Sequence, residues 1–455
     1  MFQSSSTIAI YNSLINTDRK MSIIRKPAWL FAALFVILLL TSCAFGFEIL
    51  SNQTARTYGD SIDPFLLFEE LRGRRVITGG WADYANSGQG VSYADPAYPI
   101  IINDALFPDP IAKFEAFVDA LGRQDQHVFI IVSGDIDLSR GRITDAPGHV
   151  RGLTDVPPYG PSSPFVRMFD ISSSNTTIIG INNARIMFGG LQIDGRQNII
   201  IRNLTFWDAR DTRRRPGLDH LRITGDGTIG IWIDHCKFSS GLSNHRAGGD
   251  WHDTLLNIPG GEVTVSWNEF TNANEVLLVG SGNSGEFSRR ASEDELLQLR
   301  SRRRVTLHHN YFHSARYRMP RTRGTQMHIY NNFFTNIWWH VMSPGLNAHF
   351  VVQNNYFDPV RYNALFRLPW NSAVHGAYRT AGAVVWYSGN VGEPLSWRAN
   401  AHAGLVTNPA PKPWNPLNFY SYNLTDDVQS LRALIPSRAG PTLGTIEDFL
   451  TNFRD

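Results

Sequence analysis

The chain has 455 residues and a formal net charge of +2, too small an excess to argue for nucleic acid or an anionic membrane as partner. Gly 38, Pro 24 and an aromatic share of 12% suit a turn-rich, strand-rich protein rather than a helical one. With Cys43 and Cys236 as its two cysteines, no disulfide framework is available and the core alone must hold the fold. The basic clusters Arg213 to Arg215 and Arg302 to Arg304 read as solvated faces.

Residues 1 to 20 fit no targeting pattern, and Met21 is an alternative start. Arg25 and Lys26 precede an apolar run from Ala28 to Leu40, then Leu40-Thr41-Ser42-Cys43. About 13 apolar residues behind a short basic segment fit a secretory signal, being short for a membrane span of roughly 20. The Leu-Thr-Ser-Cys ending resembles a bacterial lipobox, which implies cleavage before Cys43 and lipidation of its thiol. An uncleaved anchor helix reaching Phe47 is the alternative. Either way the protein is expected to be exported, secreted or lipid-anchored at the cell envelope, and a monomer. Residues 1–43 are then leader and signal, and 44–74 a polar tether with a short helix near Phe65 to Leu71.

From Val76 the pattern changes. Apolar residues at Ile111, Phe114, Phe117, Val118 and Leu121 keep helical spacing, and Val128 to Gly134 reads as a buried strand ending in a turn. Short strands then recur at Thr177–Gly180, Ile199–Asn203, Gly230–Asp234, Val263–Trp267, Val305–His308, Met327–Tyr330 and His349–Gln353. Most are followed by Asn or Cys and then Phe: Phe206, Phe238, Phe270, Phe312, Phe334 and Phe357, at spacings of 32, 32, 42, 22 and 23. A base period of about 22 with insertions is what a stacked parallel β-helix produces, with internal ladders of Phe and Asn. A β-sandwich would alternate at 8–12-residue spacing instead. The expected architecture is therefore all-β, a parallel β-helix over residues 75–400 with a short N-terminal helix. An irregular C-terminal segment, 401–455, is amphipathic around Val428 to Leu434 and Ile446 to Phe453 and is expected to pack along the solenoid. A helix from Ser292 to Leu299 lies in an insertion between coils, either as a lid or as a surface excursion.

The stretch Val305 to Phe334 breaks this regular wall with Arg318-Met319-Pro320-Arg321-Thr322-Arg323-Gly324, a Pro-braced bend that presents arginines. Arginine binds carboxylates through two parallel hydrogen bonds, so the bend suits an acidic polysaccharide. Trp207, Trp232, Trp251, Trp267, Trp338 and Trp339 could stack on sugar rings, although each taken singly reads first as packing between coils. Asp219, Asp234 and Asp253 lie on successive coils with Glu275 after them, and adjacent coils stand about 4.8 Å apart, close enough to share a hard cation. Asp234, His235, His308 and His309 read as structural, engaged in turn or internal hydrogen bonds.

Four of these motifs, Trp232-Ile233-Asp234-His235-Cys236, Val263 to Asn268, Val305 to Asn310 and Arg318 to Gly324, together with His328 and Asn331-Asn332, resemble the pectate lyase/pectin lyase superfamily in order and content. The likeness runs from about Thr78 to Phe357. It implies a right-handed parallel β-helix that cleaves polygalacturonate-type uronans by β-elimination. It also implies Arg318 as the base that removes the C5 proton, Arg323 as the clamp on a substrate carboxylate, and calcium as cofactor. A guanidinium with a pKa above about 12 needs cationic neighbours and desolvation to act as base, so alkaline activity is expected. The implied calcium ligands are incomplete. An Asp-Xaa-Asp pair of the family reads Gly217-Leu218-Asp219 here, and a second acid pair reads Asp253-Thr254-Leu255-Leu256-Asn257. Glu275 stands where the family has a substrate-contacting lysine, either to replace the missing ligand or to mark another substrate. The metal set expected is thus Asp219, Asp253 and Asn257, with Arg323 and Glu275 at the substrate. Two other readings stay open: a weakly active or inactive β-helix lipoprotein that binds acidic glycan, and a pectin lyase-like enzyme that needs no calcium. A glycoside hydrolase ranks last, since no closely spaced Asp pair lies within the coils.

Overall fold

The computed structural model describes residues 62–141, 168–209, 217–241, 252–280, 293–338, 341–345, 347–358, 382–392 and 406–451. Cys43, the apolar run before it, Arg213 to Arg215, Trp251 and Trp339 lie outside them.

Short β-branched runs that end in a left-handed residue force the chain to turn after every five or six residues, and the result is three parallel ladders. The first stacks Val128–Asp137, Thr176–Met187, Gln197–Arg202, Ile229–Asp234, Gly261–Ser266, Arg303–His308, Gln326–Tyr330, His349–Gln353 and Val384–Ser388. The second stacks Thr205–Trp207, Lys237–Ser239, the start of Glu269–Val279, Tyr311–Tyr317, Phe333–Ile337 and Tyr356–Phe357. The third stacks Gly190–Asp194, Leu221–Thr224, Thr254–Ile258, the end of Glu269–Val279 and Arg321–Thr322. Each expected repeat strand is present, beginning one or two residues earlier than expected in all but His349–Gln353, with Gln197–Arg202 and Gly261–Ser266 ending one residue sooner. The short helices Pro64–Leu71 and Pro110–Gly122 are also where the sequence places them.

Identical registers put like residues on top of one another. Ile199, Ile231, Val263, Val305, Met327, Phe350 and Val385 form one continuous internal column. The phenylalanines stack with ring centroids 4.8, 5.1, 4.9, 4.8 and 4.8 Å apart and planes within 10° of parallel. The asparagine ladder runs Asn268, Asn310, Asn332, Asn355, Asn390, each Nδ2 donating to the next Oδ1 at 2.9 to 3.1 Å. Cys236 heads this ladder, its backbone N–H donating to Asn268 Oδ1 at 2.8 Å. Buried amides that satisfy the turn's own backbone groups are what allow so tight a corner inside a core.

The residue before each ladder position is left-handed: Asn203, His235, Trp267, His309, Asn331 and Asn354, with φ between 47° and 58°. Asn and His are among the residues that most often adopt this region, whereas a bulky Trp is strained in it. The strain is offset by stacking, His235 on Trp267 at 5.8 Å and Trp267 on His309 at 4.5 Å.

Beyond the coils, Leu431–Arg438 buries Leu431 and Ile435 against Phe333 and Tyr356. Leu443 and Phe449 join the cluster of Ile179, Ile200 and Trp232. The insertion helix is Glu293–Ser301, with Leu297 exposed.

Candidate active site

Arg318 follows the strand Tyr311–Tyr317 at φ 65°, a left-handed position that aims the chain out of the second ladder and into the third. A non-glycine residue there costs on the order of 1–3 kcal/mol, and such strain collects at functional sites. The backbone holds it in place: Arg318 O accepts from Leu277 N at 2.7 Å and Met319 N donates to Val341 O at 2.6 Å. Its side chain is largely buried. Nη1 forms an ion pair with Glu275 Oε2 and lies 3.4 Å from Thr254 Oγ1, while Nε is buried without a hydrogen-bond partner among the described residues.

Glu275 sits in the third ladder between Thr254 and Tyr317, its Cα partners on the two neighbouring coils. Tyr317 Oη donates to Glu275 Oε1 at 2.6 Å. Burial pushes the Glu275 carboxyl up to about 7; Arg318 and Tyr317 pull it down, and a shared hydrogen bond with Asp253 pushes it further up. Asp253 thus joins the group from just before its strand, with Thr254 rather than Asp253 standing level with Glu275.

Asp219 is fully buried one coil earlier. Its Oδ2 accepts from Arg222 Nε at 2.8 Å and from Asn257 Nδ2 at 3.0 Å, and pairs with Arg222 Nη2 at 2.7 Å. Its Oδ1 takes the Thr254 N–H at 3.3 Å. Burial raises the Asp219 carboxyl to about 6, Arg222 opposes this and Asp253 adds to it. Arg222 Nη2 also donates to Gly217 O at 2.9 Å, at the position where the resemblance called for an acid. Arg323 lies further along the same ladder, its N–H donating to Val279 O at 3.1 Å.

The coils therefore bring Asp219, Asp253, Asn257, Glu275 and Arg318 together, and add Arg222, Thr254 and Tyr317, which sequence reasoning missed. The signal for Tyr317 was present: it follows Glu275 by 42 residues, the same interval as from Phe270 to Phe312. Trp232 and Trp267 belong to the first ladder and its corner, packed on Arg202 and between histidines. Asp234 is structural as expected, accepting from Arg202, His235 and Ser266 at 2.6 to 2.8 Å, which holds its carboxyl down at about 2 despite burial. A cavity of about 490 Å³ opens beside His308, His309 and Tyr422, on the first-ladder side, away from Arg318.

The donor set does not fit the calcium that the resemblance implied. Calcium takes six to eight oxygens. Here Asp219 Oδ2 is taken by three N–H donors, Glu275 by Arg318 and Tyr317, and two guanidiniums already stand beside the carboxylates. Among the described residues no group of three or more His, Cys, Asp or Glu is arranged to hold a metal.

Comparison with known proteins agrees with the coil motifs. The pectate lyase family model matches residues 168–384. A pectate trisaccharide-lyase of Thermotoga maritima is 36% identical over 166 residues, covering 36% of this chain and 40% of that one. A pectate lyase of Bacillus subtilis is 28% identical over 291 residues, covering 58% and 63%. The chain thus spans less than two thirds of the length of either relative. Among solved structures, a variant of the Bacillus subtilis pectate lyase superposes with a TM-score of 0.58 at 21% identity, covering 82% of this chain and 99% of that one. A thermostable pectate lyase gives 0.57 at 24%, covering 81% and 99%. These structures share the fold. In its stacked motifs and over residues 168–384 the β-helix of this chain is similar to the pectate lyase family, and it shares the fold of these solved structures.

Proposed function

We propose that the chain is a pectate lyase-like polysaccharide lyase that cleaves an acidic uronan by β-elimination. The observation that carries the reading is the convergence of Arg318, Glu275, Thr254, Tyr317, Asp253 and Asp219 from successive coils onto one stretch of the third ladder. Arg318 is the base. It takes the proton from C5, the C5–H pair becomes the C4–C5 double bond, the C4–O bond breaks and the departing oxygen is protonated by water. Arg323 holds a substrate carboxylate from the far side of the bend. Glu275 and Tyr317 fix the Arg318 guanidinium, and the strained φ fixes its point of departure. A guanidinium is protonated in neutral water, so turnover is expected to rise toward alkaline pH. Export, with Cys43 as a lipid site, belongs to the same proposal, on the strength of the Ala28 to Leu40 run.

Polygalacturonate and methyl-esterified pectin, incubated with the protein between pH 7 and 10, are expected to give an unsaturated product that absorbs in the ultraviolet. No such product on either substrate at any of these pH values would sink the reading. Arg318→Lys is expected to lower kcat about 100-fold or more, the usual worth of a positioned base, with KM changed far less. A hydrolase would release reducing ends without the double bond, and the same samples tell the two apart. The Arg318–Glu275 ion pair also favours a second reading, a β-helix protein that binds acidic glycan without turnover. Retained binding in Arg318→Ala, with no product from the parent, supports that one.

A further inference from the structure

The cluster around Asp219 carries a feature that no expected role uses. Arg222 and Asn257 are Cα partners on adjacent strands of the third ladder, so their side chains stand side by side at the strand spacing of about 4.8 Å. Both donate to the same oxygen, Asp219 Oδ2, and both are left with one polar atom unspent. Arg222 is 28% exposed at its side chain, and among the described residues its Nη1 has no hydrogen-bond partner. Asn257 is 8% exposed, and its Oδ1 is buried with no hydrogen-bond partner among the described residues.

An orphaned buried acceptor costs roughly 1–3 kcal/mol, and a guanidinium face with an open N–H is suited to a carboxylate. A unit with a carboxylate and a neighbouring hydroxyl meets both demands: the carboxylate accepts from Arg222 Nη1, the hydroxyl donates to Asn257 Oδ1. We infer that Arg222 and Asn257 form a metal-independent uronate subsite in which the chain's own guanidinium supplies the positive charge. Asp219 is a positioning residue there. Its buried carboxylate holds Arg222 by Nε and Nη2 and accepts from Asn257 Nδ2, which fixes the amide with its Oδ1 still unspent.

The inference rests on the acidic uronan of the proposed function, and binding tests it apart from turnover. Trigalacturonate is titrated calorimetrically into the full chain carrying Arg318→Ala, once with a chelator and once with calcium. The same Kd is expected in both. Arg222→Gln is expected to weaken binding at least tenfold. Because that change strands a buried carboxylate, the double variant Arg222→Gln/Asp219→Asn is measured beside it, with thermal unfolding as the check on folding. It is expected to fold and still bind weakly. Binding that disappears in chelator and returns with calcium overturns the inference, as does a folded double variant that binds like its parent. A lyase that turns over normally without Arg222 sinks this subsite alone. Calcium-independent binding that needs Arg222, in a parent that gives no unsaturated product, sinks the lyase reading alone.

Discussion

Glu275 shows how one side chain changes the character of a site. Where the resemblance led to a lysine, a carboxylate occupies the ladder position level with Thr254 and Tyr317 and draws Arg318 onto itself. Burial and Asp253 raise its carboxyl to about 7, above the ordinary 4.5. The folded chain therefore keeps that proton over a pH range in which the unfolded chain has lost it. The resulting stability is complete below the ordinary value and is lost as pH rises through about 7. Glu275→Gln removes this loss, so its melting temperature minus the parent's is expected to increase from pH 4.5 to 7.5. Thermal unfolding across that range checks it, and parallel curves for the two proteins would refute it. Arg222 was illegible for a related reason. In sequence it is one polar residue in an alternating strand, Leu221-Arg222-Ile223-Thr224, and only the coil register sets it beside Asn257.

At the scale of an element, the coil corner decides stability. Asn310 accepts from Asn268 N at 3.0 Å and from Asn268 Nδ2 at 3.1 Å, and donates to Val265 O at 2.8 Å and Asn332 Oδ1 at 3.0 Å. Asn310→Ala strands several buried groups at once and is expected to cost about 3 kcal/mol or more. Phe270→Ala opens a gap between Phe238 and Phe312, stacked at 5.1 and 4.9 Å, and is expected to cost about 3–5 kcal/mol. Glu115, exposed on the helix Pro110–Gly122, is expected to tolerate alanine within about 0.5 kcal/mol. Urea unfolding of the three variants checks the ranking; equal midpoints would show that the ladders do not govern stability. The ladders were legible because each adds one residue per coil at a recurring interval. The two turns before and after Arg318 were legible for the same reason.

The whole molecule carries a set of buried, neutral histidines. Burial lowers His220 and His328 to about 3 and His308 to about 4, in each case the largest cause. In the unfolded chain they protonate near the ordinary 6.5, so the unfolded state takes up protons as pH falls from about 6.5 toward 4 and the fold loses stability. Raised acids, Asp83 and Asp219 at about 6 and Glu275 at about 7, act in the opposite direction over part of the same range. With the larger displacements on the histidine side, the net expectation is a stability maximum near pH 6–7 and an acid limb below it. His328→Gln, which can keep a hydrogen bond to Tyr420 or Gln353, is expected to flatten that limb. Unfolding temperatures from pH 4 to 8 test this, and an acid limb unchanged in the variant would count against it.

The sequence by itself determined the architecture, because a stacked coil repeats its own chemistry: apolar runs, left-handed corners, an amide ladder and a phenylalanine stack recur at an interval that can be counted. It also determined which bend is exceptional, since Arg318 to Gly324 breaks that recurrence. What only the tertiary structure decided is the charge balance around the bend. Insertions of differing length separate Asp219, Arg222, Asn257, Glu275 and Tyr317 in the chain, and hydrogen-bond register alone sets them level in space. A carboxylate read as a metal ligand in sequence becomes, once a guanidinium three residues away reaches it, half of an ion pair.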